Sequence, residues 1–172
     1  YAIIYRVIRM FFRDELTGDT NYLSSPLLTI RKILGHPVLG KQWAFVDIGC
    51  GEGLVGLFVR LILRKSVILH DQQTHFLAMI RFFCRLFFVN RVRCQPVFDK
   101  DYPAPSVFLC VWTSWSDKNR EDVVYQLSSV VPKGSFLITV SHGLIHPAFI
   151  ELNKSSEMFA WGRASVYYYK HA

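Results

Sequence analysis

The 172-residue sequence predicts a single α/β domain: a mostly parallel seven-stranded sheet with helices on both faces and an antiparallel pair of strands at its C-terminal end. Strand-like and helix-like segments alternate along the chain. A glycine-rich turn joins the first buried strand to a long apolar helix. The composition, 51% hydrophobic with 15% aromatic and only 19% charged, supplies enough apolar surface for one core and excludes a disordered chain.

The elements follow in order. Residues 3–13 read as a helix, broken by the polar stretch 17–21. Tyr22 opens a loop running to Pro26, which is predicted as the first residue of a helix over Leu27–Leu34 with Ser25 as its cap. Ala44–Ile48 is a buried strand, and residues 54–63 the apolar helix after it. Val67–His70 forms a second strand and residues 74–89 a second long helix, on which Arg81 and Arg85, four apart, share a solvent face. Residues 92–97 make a third strand that Pro96 confines to an edge or a short run. The rhythm repeats with a strand over 107–111, a helix over 118–131, a Pro132-Lys133-Gly134 turn and a strand over Phe136–Val140. A last helix is expected near 146–153, then strands over 157–161 and 164–169 about Gly162-Arg163. Residues 1–43 are expected to form an N-terminal, substrate-side segment, and residues 44–172 the ligand-binding core.

Twenty Lys and Arg against 13 Asp and Glu give a formal charge of +7, which favours anionic partners: RNA, an acidic membrane surface or an acidic protein. Cys50, Cys84, Cys94 and Cys110 form no CxxC pair and sit in apolar runs, as reduced cysteines do, so a reducing cytoplasm is expected. The apolar stretches 2–12, 54–63 and 76–89 fall short of the ~20 residues that span a bilayer, and arginines interrupt them. Core packing is the preferred account of the aromatics in 76–89. No signal-peptide pattern is present. The chain opens on Tyr1 rather than Met, so further residues upstream are expected.

The strongest motif is Asp47-Ile48-Gly49-Cys50-Gly51-Glu52-Gly53, a strand running into D-x-G-x-G-x-G and then a helix. Such glycines permit a tight turn and let a ligand lie against bare backbone. A dinucleotide G-x-G-x-x-G fingerprint would need glycine at position 54, which is leucine. Asp71 follows the second strand, 24 positions after Asp47, where a carboxylate in a nucleotide-binding α/β fold accepts hydrogen bonds from ribose hydroxyls. His142 and His146 form an H-x3-H pair with no third ligand in view, so no metal site is assigned.

These residues resemble the class I methyltransferases that use S-adenosyl-L-methionine, a Rossmann-like three-layer sandwich, and the resemblance runs from about Phe45 to Lys170. It implies that Asp47, Gly49, Cys50, Gly51 and Gly53 form the turn under the methionine part and ribose of the cofactor. Asp71, with Gln72 beside it, would hold the ribose. Phe98 and Asp99 fall where the family lines the adenine. Residues 128–136 resemble the family's turn into its fifth strand. In that family the loop after the fourth strand, here Trp112-Thr113-Ser114-Trp115-Ser116-Asp117, faces the methyl group. That places Trp112 beside the cofactor and Thr113 and Trp115, together with Tyr22, on the catalytic side. The alternative for this loop is structural, its tryptophans packing under the next helix and Asp117 capping it.

The acceptor is open. The loop at 112–116, the Pro-Lys-Gly turn and residues 159–167 are similar to stretches of the non-SET protein lysine methyltransferases, which leans the expectation toward a protein lysine. Gly49–Gly56, Phe76-Leu77 and Val89-Asn90-Arg91-Val92 resemble instead the glucose-inhibited-division family, which methylates ribosomal RNA. A non-catalytic binding module is the third reading.

Overall fold

In a computed structural model of the chain, residues 26–96, 98 and 101–172 are described. The expected N-terminal helix, the Tyr22 loop and Asp99 lie outside them. Seven strands form one sheet: β1 (Ala44–Ile48), β2 (Val67–His70), β3 (Val92–Gln95), β4 (Ser106–Val111), β5 (Phe136–Val140), β6 (Phe149–Phe159) and β7 (Gly162–His171). Their order across the sheet is β3-β2-β1-β4-β5-β7-β6. The first five are parallel, and β7 runs antiparallel to both β5 and β6.

Helices α1 (Leu27–Leu34), α2 (Leu54–Ile62) and α3 (Thr74–Leu86) cover one face. Ile30, Ile33, Phe58, Val59, Leu77 and Ile80 pack there against Phe45, Leu69 and Leu109 of the sheet. Helix α4 (Asp117–Val130) covers the other, setting Val123, Val124 and Leu127 against Val46, Phe108 and Leu137. Strands β1 and β2 are buried throughout, as parallel strands covered on both sides must be.

Several boundaries differ from expectation. Pro26 is extended and occupies the cap position of α1 rather than its first turn. The long helix α3 ends at Leu86, because Phe88 turns left-handed (φ 53°) and Val89 N–H closes back on the Cys84 carbonyl. Strand β3 ends at Gln95, immediately before Pro96, and lies at the sheet edge. Ser116, not Asp117, caps α4, its hydroxyl accepting from the Asn119 N–H at 3.3 Å.

The largest difference is at the C-terminus. Residues 146–153 form no helix; Phe149 begins an eleven-residue edge strand whose hairpin turns at Ala160-Trp161, two residues before the expected position. Pairing with the tyrosine-rich β7 outweighs local propensity here. A bulge between Glu151 and Asn153 breaks the period-two pattern that would have marked a strand.

Candidate functional site

The order of strand addition reverses beside β1: β2 and β3 lie on one side, β4 and β5 on the other. In open parallel sheets a ligand crevice forms at the carboxyl ends of the strands flanking such a point. The turn from Gly49 to Gly53 and the loop from Trp112 to Ser116 both emerge there, after β1 and β4.

Gly49, Gly51 and Gly53 all adopt positive φ, at 73°, 50° and 72°. An L side chain is strained in that region, so this alternation explains why three glycines are needed. A Cβ on Gly53 would lie 2.6 Å from the Ile80 Cδ1 atom, and one on Gly49 would lie 2.8 Å from Cζ2 of Trp115.

The turn's own donors point back into the protein. Gly49 and Cys50 N–H share the His70 carbonyl at 2.8 and 3.0 Å, Gly53 N–H reaches the Cys50 carbonyl at 2.8 Å, and Gly51 N–H donates to Asp71 Oδ2 at 2.8 Å. The other carboxylate oxygen of Asp71 accepts from Gln73 N–H, also at 2.8 Å. Asp71 thus ties the glycine turn to the start of α3 while each oxygen keeps a further lone pair for a ligand. Gln72 beside it is exposed.

Carboxylates crowd the same turn. Asp47 and Glu52 are buried and Asp71 half-buried. Burial, reinforced by the charge of Asp71, pushes Asp47 up to about 7, while a hydrogen bond from Gly56 N–H in the first turn of α2 pulls the other way. That bond sets a carboxylate on the positive end of the helix. Burial likewise raises the Cys50 and Cys110 thiols, leaving both as uncharged, small apolar groups.

A phosphate-binding glycine loop offers free N–H groups to an anion. Here the donors of Gly49, Cys50, Gly51 and Gly53 are engaged and the surroundings are acidic. Such a turn offers bare Cα atoms, carboxylate acceptors and negative charge rather than free N–H donors.

The opposite wall is the 112–116 loop. Trp112 is fully buried beneath it and donates its indole N–H to the His142 carbonyl at 2.9 Å, an acceptor it shares with the Thr139 hydroxyl at 2.7 Å. Its side chain therefore belongs to the core. Trp115, half-buried, meets Trp112 edge-on at 6.2 Å and overhangs Gly49. Thr113 Oγ1 lies 2.7 Å from Ser141 Oγ, bridging the ends of β4 and β5. Arg120 holds the loop from behind, through the Trp115 carbonyl at 2.5 Å and an ion pair with Asp117. Phe98 stacks on His70, centroids 4.1 Å apart and 11° from parallel, next to Asp71.

The structure thus gathers Asp47, the glycines, Asp71, Trp115 and Thr113 at one end of the sheet. Sequence reasoning missed Ser141, Arg120 and His70; the only local signal was the position of Ser141 just after the fifth parallel strand. His142 and His146 lie in the β5–β6 loop, where His146 Nδ1 accepts from Ala148 N–H at 3.2 Å and the ring leans on Phe149. Among the described residues no group of three or more His, Cys, Asp or Glu could hold a metal ion.

No family model and no curated protein matches the sequence. Solved structures do match in fold. TrmN from Thermus thermophilus aligns with a TM-score of 0.66 at 14% identity over 96% of this chain and 53% of its own, so the chain spans about half its length. An RNA methyltransferase from Salinibacter ruber, solved with S-adenosyl-L-homocysteine, aligns at 0.63 and 10% identity over 87% and 94% of the two chains. The cyclase SpnF aligns at 0.64 and 11% over 84% and 80%. From its strand order and these likenesses, the chain has the fold of the class I S-adenosylmethionine-dependent methyltransferases.

Proposed function

We propose that the chain binds S-adenosyl-L-methionine at the glycine turn and transfers its methyl group to a nucleophile. One observation carries this reading: the turn has three left-handed glycines, no free N–H among Gly49, Cys50, Gly51 and Gly53, and carboxylates around it. That chemistry disfavours a pyrophosphate and suits a cationic, phosphate-free nucleoside. The Salinibacter ruber structure, which holds the demethylated cofactor on the same fold, supports it.

The residues present fit the group. Gly49, Gly51 and Gly53 supply the bare floor, Asp71 accepts from ribose hydroxyls, and Phe98 and Asp99 are assigned to the adenine end. Cys50 and Gln72 flank the turn, and Trp112 supports the wall from below. When bound, the cofactor supplies an electrophilic methyl on a sulfonium, and Asp47 and Asp71 favour that positive charge through space. Thr113, with Ser141 beside it, orients the acceptor, Trp115 closes the crevice over Gly49 and excludes water, and Tyr22 is assigned to the acceptor side. Displacement of this kind is driven largely by positioning, so no dedicated base is required.

For the acceptor, the matched structures include an RNA methyltransferase and no lysine methyltransferase among those described above. RNA therefore stands ahead of the lysine expected from the second half of the sequence. The cyclase on the same fold keeps a non-methylating reading in view. Calorimetric titration with S-adenosyl-L-methionine and S-adenosyl-L-homocysteine tests the cofactor, and transfer of radiolabelled methyl to RNA or protein fractions tests the acceptor. A folded sample that binds neither compound refutes the proposal.

A further inference from the structure

At the opposite end of the molecule, the exit of α3 presents a surface that the site does not use. Phe82 and Leu86, one helical turn apart, are 65% and 50% exposed, and Phe87 and Phe88 follow at 47% and 91%. Only Phe83 of this run is buried in the core. The core-packing expectation for residues 76–89 therefore holds for the inner face of the helix and fails for the outer one.

Phe88 is the most informative of the four. It occupies the left-handed position after the helix, φ 53°, where glycine is the usual residue. A bulky side chain pays a steric penalty there and, at 91% exposure, gains no packing in return. The turn that presents it is held firmly: Arg60 reaches across from α2 to the Asn90 carbonyl and side chain, both at 2.7 Å.

The charge around this surface has one sign. Residues 53–98 contain seven Lys and Arg and a single carboxylate, Asp71, which lies at the glycine turn. Arg81 and Arg85 line the helix beside Phe82 and Leu86, while exposed Arg91 and Arg64 lie in the neighbouring turns before β3 and β2. Val67 N–H donates to the Arg91 carbonyl at 3.0 Å, which keeps those turns together. No helix among the described residues is long and apolar enough to cross a membrane.

We propose that this face of α3 docks on the surface of an anionic phospholipid bilayer, with Phe82, Leu86 and Phe88 entering the acyl boundary and the arginines meeting the headgroups. A cationic helix face with apolar side chains beside it binds in the plane of the interface in this way. Phenylalanine and leucine have no polar tip, which suits an acyl phase better than a hydrogen-bonded nucleic-acid surface. The face lies at the amino ends of the parallel strands and the glycine turn at their carboxyl ends, so docking leaves the crevice open and is independent of the cofactor reading.

The test is flotation of the full chain with vesicles of phosphatidylcholine alone or mixed equally with phosphatidylglycerol. Binding to the mixed vesicles only is expected. Phe88→Gly should lower the partition coefficient about tenfold, from the lost apolar insertion, while raising the thermal midpoint because glycine accepts the left-handed backbone. Arg85→Gln should lower it about fivefold. Equal binding to both vesicle types, or unchanged partitioning of Phe88→Gly, overturns the proposal. So does binding of a mixed-sequence single-stranded RNA that Arg85→Gln weakens while the vesicles bind nothing.

Discussion

Asp47→Asn should make the protein more stable above neutral pH and remove one of the two carboxylates that favour a cationic ligand. The wild-type carboxyl is only 5% exposed, and burial together with the nearby charge of Asp71 raises it from its ordinary 3.8 to about 7. An acid raised on folding holds its proton more tightly in the native state. Its stabilising contribution is therefore complete below pH 3.8 and is lost as pH climbs toward 7. The gap between 3.8 and about 7, at about 1.36 kcal/mol per pH unit, amounts to roughly 4 kcal/mol carried as a penalty at pH 8. Asparagine is nearly isosteric, keeps an oxygen for Gly56 N–H and carries no charge, so it escapes that penalty. Cys50 and Cys110, the other titratable groups coupled to Asp47, are neutral throughout this range because burial holds their thiols high. Thermal melts of both proteins from pH 5 to pH 8 provide the assay, since the rest of the sequence is identical and the difference isolates residue 47. The wild type should fall relative to Asp47→Asn by roughly 5–10 °C across that window, given about 2–4 °C per kcal/mol for a chain of this size. Parallel curves would refute the assignment of a charged, strained Asp47. Calorimetry should show the converse for the proposed cofactor: wild-type affinity rising with pH through about 7, and a flat, weaker profile for the variant.

Asp71→Ala removes the acceptor for Gly51 and Gln73 N–H as well as the proposed ribose contact, and should weaken S-adenosyl-L-homocysteine by roughly 1–3 kcal/mol in a calorimetric titration. Gly51→Val would be expected to spare folding if the residue met only the ligand; at φ 50° it should instead cost stability too, roughly 1–2 kcal/mol by denaturant titration. Thr113→Val breaks the hydroxyl pair with Ser141 and should lower methyl transfer while leaving cofactor affinity within about twofold, a split that equilibrium binding and radiolabel transfer resolve. Ser116→Ala should cost about 1 kcal/mol by loss of the α4 cap, measured by denaturant titration, whereas Asp117→Ala should not remove that cap.

Much of the fold was legible because local physics and tertiary context agree there. Ala44–Ile48, Val67–His70 and Phe136–Val140 are mostly apolar runs too short for helices, closed by Gly49, Asp71 and Ser141, and they appear with the predicted bounds. The glycine turn was readable because left-handed backbone leaves its mark on composition. The C-terminal region was not. Residues 149–159 combine a bulge, an edge position and a polar outer face, and only pairing with β7 makes them a strand. In the loop after β4 the two tryptophans look alike in sequence, yet one is enclosed beneath the loop and the other overhangs the crevice.

By itself, then, the sequence determined the alternation of strand and helix, the strand-turn-helix that opens the crevice, and the acid after the second strand, because these depend on spacing and backbone preference within a few residues. Tertiary structure alone decided that the turn's donors are engaged by His70 and Asp71, that Asp47 is held near neutrality, that Ser141 meets Thr113 across two strands, and that three of the four phenylalanines closing α3 face outward. Each of those follows from which distant segment lies alongside, a property of packing that no local window of residues contains.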